Sequence, residues 1–352
     1  MSDPAPEISR APDGGAAGAV PGGALVNTVA AVVNPIKGDA MRVRQSISRF
    51  AHSTGAGKPL WFETTEDDFG ADAARKAVAA GARLVLASGG DGTVRAVAGA
   101  LRNTGVALGI VPSGTGNLLA RNLGLPIGNT EAAVEVAFSG QDRTIDVGIA
   151  EFTRPADDSG EIATTEHAFT VVAGVGVDAA MIANTSPFLK ERFGWIAYVD
   201  GILRSLITSK PVRARVRIDG EGPLNRTFDV HSVLVGNVGG LPGGVELIPD
   251  ARIDDGVLDV AIMHPRTLFG WLYIGRTLVW ENQVLRHTKL GRKLIRVQSQ
   301  FSPNVLEYAR GPVVGVKLEK PVEAELDGDE IGLVTKAVFR ADAGSLIVRV
   351  PA

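Results

Sequence analysis

The sequence predicts a parallel α/β domain followed by a mostly antiparallel β domain. Three observations predict it. Short apolar runs alternate with helical patterns up to about Asp146; beyond that point the segments become β-rich; and glycine-rich turns recur at the ends of the early strands. Residues 1–26 are expected to form a disordered tail, 27–146 the α/β domain and 147–352 the β domain. The final strand is expected to return towards the first domain.

The elements follow in order. Thr28 to Val33 is an apolar run ending at Asn34-Pro35, and Met41 to His52 is a helix with Arg and Gln on its outer face. Pro59 to Phe62 is a short strand, and Asp72 to Ala80 is an Ala-rich helix stopped by Gly81. Leu84 to Ala87 and Val106 to Val111 are strands, with a helix from Val94 to Arg102 between them. Gly116 to Asn122 and Asn129 to Phe138 are helical. Apolar strands of this kind in a βαβα rhythm argue for a parallel sheet covered on both faces. The later strands are Phe169–Val175, Val212–Ile218, Thr227–Gly236, Val257–Met263, Lys293–Gln298, Val313–Leu318, Val322–Leu326 and Ala337–Val350. Helices near Pro187–Ile207 and Thr267–His287 interrupt them, and the polar insert Pro155–Glu166 reads as a loose hairpin tip.

The chain has 352 residues, 45% hydrophobic and 21% charged, which is ordinary globular composition with material for two cores. A formal net charge of -3 gives no global basic field and argues against a nucleic-acid partner. The absence of cysteine excludes disulfides and thiolate chemistry. Residues 1–26 are rich in Ala, Gly and Pro and lack the surface to offset ordering entropy. They lack a basic start followed by an apolar core, so no signal peptide is expected. No run reaches about 18 uninterrupted apolar residues, so no transmembrane helix is expected. The nearest candidate, Leu268 to Trp280, is interrupted by Arg276.

The run Ala87-Ser88-Gly89-Gly90-Asp91-Gly92-Thr93 follows a strand and opens a helix. Glycines there let backbone N–H groups approach an anion, and the helix dipole adds to the attraction. The aspartate inside the loop suggests a metal-bound nucleotide or a proton acceptor. Asn34-Pro35-Ile36-Lys37-Gly38 and Pro112-Ser113-Gly114-Thr115-Gly116-Asn117 also follow strands. Each is equally a plain turn by composition. In an open α/β sheet, however, all three gather at the carboxyl edge, where ligands bind, and together they point to a nucleotide. Leu326-Asp327-Gly328-Asp329-Glu330 is a hairpin signal by its Asp-Gly. It could also carry a general base into the interdomain cleft. The acidic stretch from Pro249 to Asp259 offers oxygen ligands for Mg²⁺ or Ca²⁺, or is a solvated turn.

These stretches, with Ala173-Gly174-Val175-Gly176-Val177-Asp178-Ala179 and Gly236-Asn237, occur in one order from Val26 to the C-terminus. Together they resemble the diacylglycerol kinase catalytic-domain family, which includes sphingosine and ceramide kinases, and above all its soluble bacterial members. The resemblance implies an N-terminal α/β domain that binds ATP, like that of NAD kinases, and a C-terminal β-sandwich on the lipid side. It places ATP against Asn34, Pro35, Ile36, Lys37 and Gly38, against Thr65, against Gly89, Gly90, Asp91, Gly92, Thr93, Val94 and Arg95, and against Thr115. Thr64 is the alternative to Thr65. Lys37 stands where the family commonly has Ser, so the hydroxyl contact there is either lost or replaced by a charge contact. The proton acceptor falls on Asp329, where many members have Glu, with Glu330 as substitute. A structural Mg²⁺ falls on Asp255 with the carbonyls of Arg252 and Val257, and a catalytic Mg²⁺ accompanies ATP near Asp91.

The implied reaction is ATP-dependent phosphorylation of a lipid hydroxyl, with diacylglycerol as the leading acceptor and a sphingoid base or other lipid alcohol as alternatives. An NAD kinase-like enzyme shares the Gly-Gly-Asp-Gly-Thr loop, and a non-catalytic lipid or nucleotide sensor on the same scaffold is the other rival. The expected location is cytoplasmic with peripheral membrane contact. Phe188 to Ile196 and Phe269 to Tyr273 mix aromatics with charges as an interfacial segment would, and packing helices would show the same mixture. A homodimer is left open.

Overall fold

The computed structural model describes residues 28–35, 40–157, 160–176, 210–220, 223–241, 245–246, 248, 251–265, 267, 270 and 305–352. The first part is a parallel sheet built from β1 (Val29–Val33), β2 (Leu60–Glu63), β3 (Leu84–Gly89) and β4 (Ala107–Pro112). Its strand order is β2-β1-β3-β4, and every pair is parallel. β1 reads Val-Ala-Ala-Val-Val and is buried throughout, the continuous apolar pattern of a strand covered on both faces. α1 (Ala40–Ser53) turns Val43, Ile47 and Ala51 inward at four-residue spacing. They meet Ala133, Val134 and Ala137 of α5 (Thr130–Ser139) on one face of the sheet. α2 (Ala71–Ala79), α3 (Asp91–Leu101) and the short α4 (Leu118–Asn122) cover the other.

The second part is antiparallel. Its strands are β5 (Gln141–Thr153), β6 (Thr164–Phe169), β7 (Val172–Val175), β8 (Val212–Asp219), β9 (Leu224–Val230) and β10 (Ser232–Gly236). A small ribbon of β11 (Gly240–Leu241) and β12 (Val245–Glu246) follows, then β13 (Leu258–Met263), β14 (Leu306–Gly311), β15 (Val313–Leu326) and β16 (Asp329–Val350). β15 takes part in both layers of a sandwich. Its first half pairs with β8, and Ala324–Leu326 pairs with β7. The core between the layers holds Phe152, Phe169, Val216, Val260 and Phe339. β16 pairs with β15, then with β5, and at Ile347–Val348 lies parallel to β4. One strand therefore closes the sandwich and completes the parallel sheet.

Several boundaries differ from the sequence reading, each for a physical reason. α3 begins at Asp91, three residues before the expected Val94, because extended Gly90 serves as its N-cap and an acidic first residue suits the helix dipole. The expected single strand Phe169–Val175 breaks at Thr170-Val171, whose amides are claimed by the Asp327 carboxylate. The expected strand Thr227–Gly236 breaks at His231, whose N–H turns to the Met263 carbonyl. The insert Pro155–Glu166 is not wholly a loose tip, since Thr164 to Glu166 belong to β6 and pair with β5. β5 and the exposed-edged β14 were not anticipated; β5 starts with the polar run Gln-Asp-Arg-Thr, and Glu307 and Arg310 interrupt the apolar pattern of β14. The expected tail, the strand Lys293–Gln298, the helix near Pro187–Ile207 and most of that near Thr267–His287 lie outside the described residues.

Phe339 sits at the centre of the sandwich, edge-on to Phe152 at 5.8 Å and to Phe169 at 6.2 Å between ring centroids. Phe339→Ala is expected to cost about 3–5 kcal/mol of stability, read from the midpoint of denaturant unfolding.

Candidate active site

The glycine loops after β3 and β4 meet backbone to backbone. A Cβ built on Gly114 would lie 2.7 Å from the Gly90 Cα, so a side chain at 114 would drive the loops apart. Asp91 ties them together. Its carboxylate accepts hydrogen bonds from the N–H groups of Asn117, at 2.8 Å, and Leu118, at the start of α4. Burial raises the Asp91 pKa; the two amides oppose that shift, and the nearby Asp327 and Asp329 charges add to it. Asn117 closes its own loop, donating to the Gly114 carbonyl at 2.7 Å and accepting from the Gly114 N–H at 3.1 Å. Gly90 has no side chain to cap α3, which leaves the first-turn amides of that helix directed at the space above the loop.

The turn between β15 and β16 faces this loop. Leu326 and Asp329 are a cross-strand pair, so Asp327-Gly328 is a two-residue hairpin turn, with φ of 50° and 90°. This is the backbone that Asp-Gly favours. Asp327 is buried, and its carboxylate accepts four hydrogen bonds: from the Thr170 N–H at 2.8 Å and hydroxyl at 2.9 Å, the Val171 N–H at 2.8 Å and the Val172 N–H at 2.9 Å. The Asp327 N–H donates to the Val172 carbonyl at 2.8 Å. The turn is thereby locked to the sandwich, and Asp329 follows from it.

Asp329 reaches across to α3. A Cβ on Gly92 would come within 3.0 Å of Asp329 Oδ2. Arg95, one turn further along α3, places Nη2 2.9 Å from the same oxygen and donates through Nη1 to the Leu326 carbonyl. The Arg95–Asp329 contact is an ion pair without hydrogen-bond alignment, since Oδ2 is buried and makes no hydrogen bond. Both residues border a cavity of about 640 Å³ between α2, α3, β6 and β16, with Phe69, Arg102 and His167 on its walls. That volume is in the range of ligand pockets. Glu330 lies exposed at the edge of the same cavity.

The remaining expected nucleotide contacts fall as follows. Asn34 and Pro35 end β1, with the Asn34 N–H bonded to the Ser88 carbonyl at 3.0 Å; Ile36, Lys37 and Gly38 lie outside the described residues. Gly89 closes β3, Thr93 is buried against it, and Val94 belongs to the core. Thr115 is exposed at the tip of its loop. Thr65 is exposed after β2 and donates its hydroxyl to Asp68 at 2.7 Å. That bond, with amides of Asp72 and Gly70, lowers the Asp68 pKa to about 2. Thr64 instead packs its methyl group against Gly70.

The loop carrying Arg252, Asp255 and Val257 is ordered by protein groups. Asp146 is buried and accepts from the N–H groups of Gly256 and Gly344, each at 2.7 Å. Asp255 pairs with Arg310, and Asp254 with Arg143, which lowers the Asp254 pKa. Among the described residues no cluster of three or more acidic, His or Cys side chains could hold a metal. Asp255 with two carbonyls is an oxygen set of the kind Mg²⁺ takes, yet its one carboxylate is already neutralised by Arg310.

The sequence reading gave no individual role to three buried acids: Asp146, Asp327 and Glu325. Glu325 precedes the turn, is 8% exposed, and has no hydrogen-bond or ionic partner among the described residues. Desolvation pushes its carboxyl up to about 7, with the Asp327 charge adding to the shift. The folded chain therefore holds an extra proton between pH 4.5 and about 7. Stability falls as pH rises through that window, and the loss is complete above it.

Two tests follow. Glu325→Gln is expected to stabilise the protein by about 3 kcal/mol at pH 8 and hardly at all at pH 4, measured by unfolding at the two pH values. Asp327→Ala strands donors of residues 170–172 and is expected to cost about 2–4 kcal/mol, measured the same way at pH 7.

Comparison with known proteins places this arrangement. Residues 28–150 match the family model described as diacylglycerol kinase catalytic domain. Residues 169–276 match the one described as YegS C-terminal NAD kinase beta sandwich-like domain. A Mycobacterium tuberculosis protein named diacylglycerol kinase is 31% identical over 243 residues, 67% of this chain and 73% of the relative. A Pseudomonas aeruginosa protein named probable lipid kinase YegS-like is 32% identical over 304 residues, 84% of this chain and 86% of the relative. The crystal structure of a diacylglycerol kinase from Bacillus anthracis shares the fold, with a TM-score of 0.64 at 18% identity, covering 92% of this chain and 97% of that one. With its loops, its locked turn and these relatives, the chain belongs to the diacylglycerol kinase and YegS-like family of lipid kinases.

Proposed function

We propose that this lipid kinase transfers the γ-phosphoryl group of ATP to a lipid hydroxyl, with Asp329 as the proton acceptor. The observation that carries the reading is the placement of the Asp329 carboxylate against Gly92, at the uncapped N-terminus of α3. Phosphate held by first-turn amides of that helix and by the Gly114–Gly116 loop would lie beside this carboxylate. The acceptor oxygen attacks the γ-phosphorus, the bond to the bridging oxygen of ADP breaks, and the hydroxyl proton passes to Asp329. Arg95 holds the carboxylate side of the cleft and lies within reach of the developing phosphoryl charge. Mg²⁺ bound with ATP would supply further neutralisation of the phosphate charge.

Diacylglycerol is the reference acceptor, named in the family description and in the M. tuberculosis relative. Among the described residues no helix is long and apolar enough to cross a membrane, so the reading includes transient contact of the protein with the bilayer that holds its acceptor. The segments expected to make that contact, Phe188 to Ile196 and most of Phe269 to Tyr273, lie outside the described residues.

The test is ADP release from Mg·ATP with diacylglycerol or sphingosine in mixed micelles, beside NAD. Lipid-dependent turnover is expected, and turnover on NAD alone would move the assignment to an NAD kinase-like activity. Asp329→Asn is expected to abolish turnover and leave ATP affinity within about twofold, because one charge-neutral swap removes the base but not the loops. Lost ATP binding in that variant would sink the assigned role.

A further inference from the structure

The turn after β2 holds a bulky side chain in a backbone conformation that bulky side chains avoid. Phe69 has a φ of 53°, followed by Gly70 at 108°. Glycine or asparagine fits such a position with little strain; phenylalanine there is an outlier. Burial does not offset the strain, because Phe69 is 47% exposed. The turn is nonetheless firmly held. The Asp68 carboxylate accepts from the Thr65 hydroxyl at 2.7 Å, the Gly70 N–H at 3.0 Å and the Asp72 N–H at 2.6 Å. The Phe69 N–H donates to the Thr65 carbonyl at 3.2 Å. A Cβ on Gly70 would meet Val32 at 2.9 Å, so the turn is packed directly on β1.

The ring stands at a defined place. A Cβ on Gly92 would lie 3.6 Å from Phe69 Cδ1 and 3.0 Å from Asp329 Oδ2, so ring and carboxylate flank the same point at the start of α3. From there the cavity of about 640 Å³ follows α3 past Arg95, Ala96 and Ala100 to Arg102. Gly92 to Arg102 is about 15 Å of helix, room for a sugar and a base beyond phosphates held at the first turn. Apolar surface at Phe69, Ala96 and Ala100 shares this cavity with the charges of Asp68, Arg95 and Glu166. An acyl chain would set those charges against methylene groups. A heteroaromatic base has apolar faces and a polar edge, and so meets both kinds of wall. Backbone strain kept at an exposed aromatic is the pattern of a ligand clamp.

We propose that Phe69 is a specificity-determining residue whose ring stacks on the base of the nucleotide donor and favours a purine over a pyrimidine. The inference rests on the kinase reading above. Every base presents a π-face to an aromatic ring, and the two fused rings of a purine cover more of the phenyl group than the single ring of a pyrimidine. The turn fixes the ring before the nucleotide arrives, so little side-chain freedom is lost on binding. The strain in the backbone at Phe69 is then the cost of presenting the ring to the cavity.

The experiment measures the affinities of Mg·ADP, Mg·CDP and tripolyphosphate, which has no base, by calorimetry. It compares the wild type with Phe69→Leu, Phe69→Gly and Phe69→Trp. The wild type is expected to bind ADP at least about fivefold more tightly than CDP. Phe69→Leu is expected to lose at least about fivefold in ADP affinity and most of that preference, with tripolyphosphate affinity within about twofold of the wild type. Phe69→Gly is expected to lose ADP affinity while its unfolding midpoint rises, since glycine relieves the strain; a merely structural role would move both the same way. In Phe69→Trp, ADP is expected to quench fluorescence that the wild type does not show. ADP affinity unchanged in Phe69→Leu, or tripolyphosphate affinity falling as far as that of ADP, overturns the proposal and leaves the kinase reading standing. So does a rise in KM for dioleoylglycerol with ADP affinity intact, which would give the cavity to the acceptor. If the leucine variant does not fold, absence of the ADP-dependent quench in Phe69→Trp overturns it equally. A wild type that binds no nucleotide overturns the kinase reading and this one with it.

Discussion

The turn that faces the glycine loops hangs from the carboxylate of Asp327. One side chain collects three backbone amides and a hydroxyl from residues 170–172. That demand ends β6, starts β7 after a gap of two residues, and fixes a left-handed turn that Asp329 directly follows. Taking a carboxylate out of water costs several kcal/mol, and only a full set of well-placed donors offsets it. The placement of Asp329 is thus a by-product of satisfying a neighbouring acid.

The same device recurs. Asp91 serves the amides that open α4, and Asp146 serves Gly256 and Gly344, joining the acidic loop to the bend in β16. Glycine-rich turns expose backbone amides in number, and aspartate is short enough to gather them without filling the space a ligand needs. Glu325 shows the other outcome. With burial but no donors, its carboxyl rises to about 7, so the supply of amides decides whether a buried acid costs the fold or holds it.

Much of this was legible in the chain. Apolar strands followed by glycine turns gave the parallel sheet because its strands are buried on both faces and need no alternation. The Asp-Gly at 327–328 supported two readings, hairpin and catalytic turn; the hairpin is formed, and it sets Asp329 against Gly92. What could not be read depends on contacts far apart in sequence. The break in β6–β7 is imposed by a side chain 157 residues away, and Arg95 meets its carbonyl partner across 231. Asp146 lay at the expected change of rhythm but carried no local signal of its bonds to Gly256 and Gly344. Glu325 was hidden for a simpler reason: two glutamates alternating in Val-Glu-Ala-Glu-Leu look like an ordinary solvated face.

β16 carries a consequence for how the protein is made. Its last residues form the outer neighbour of β4, so the parallel sheet built from the first part of the chain stays open at that edge until the far end of the sequence is available. During synthesis the α/β layers can collapse around β1 and β3, but the edge beside β4 presents unpaired amides and carbonyls for as long as translation of the remaining residues takes. The two halves of the kinase thus mature together, and the strand that brings Asp329 to the glycine loops is also the one that completes the parallel sheet.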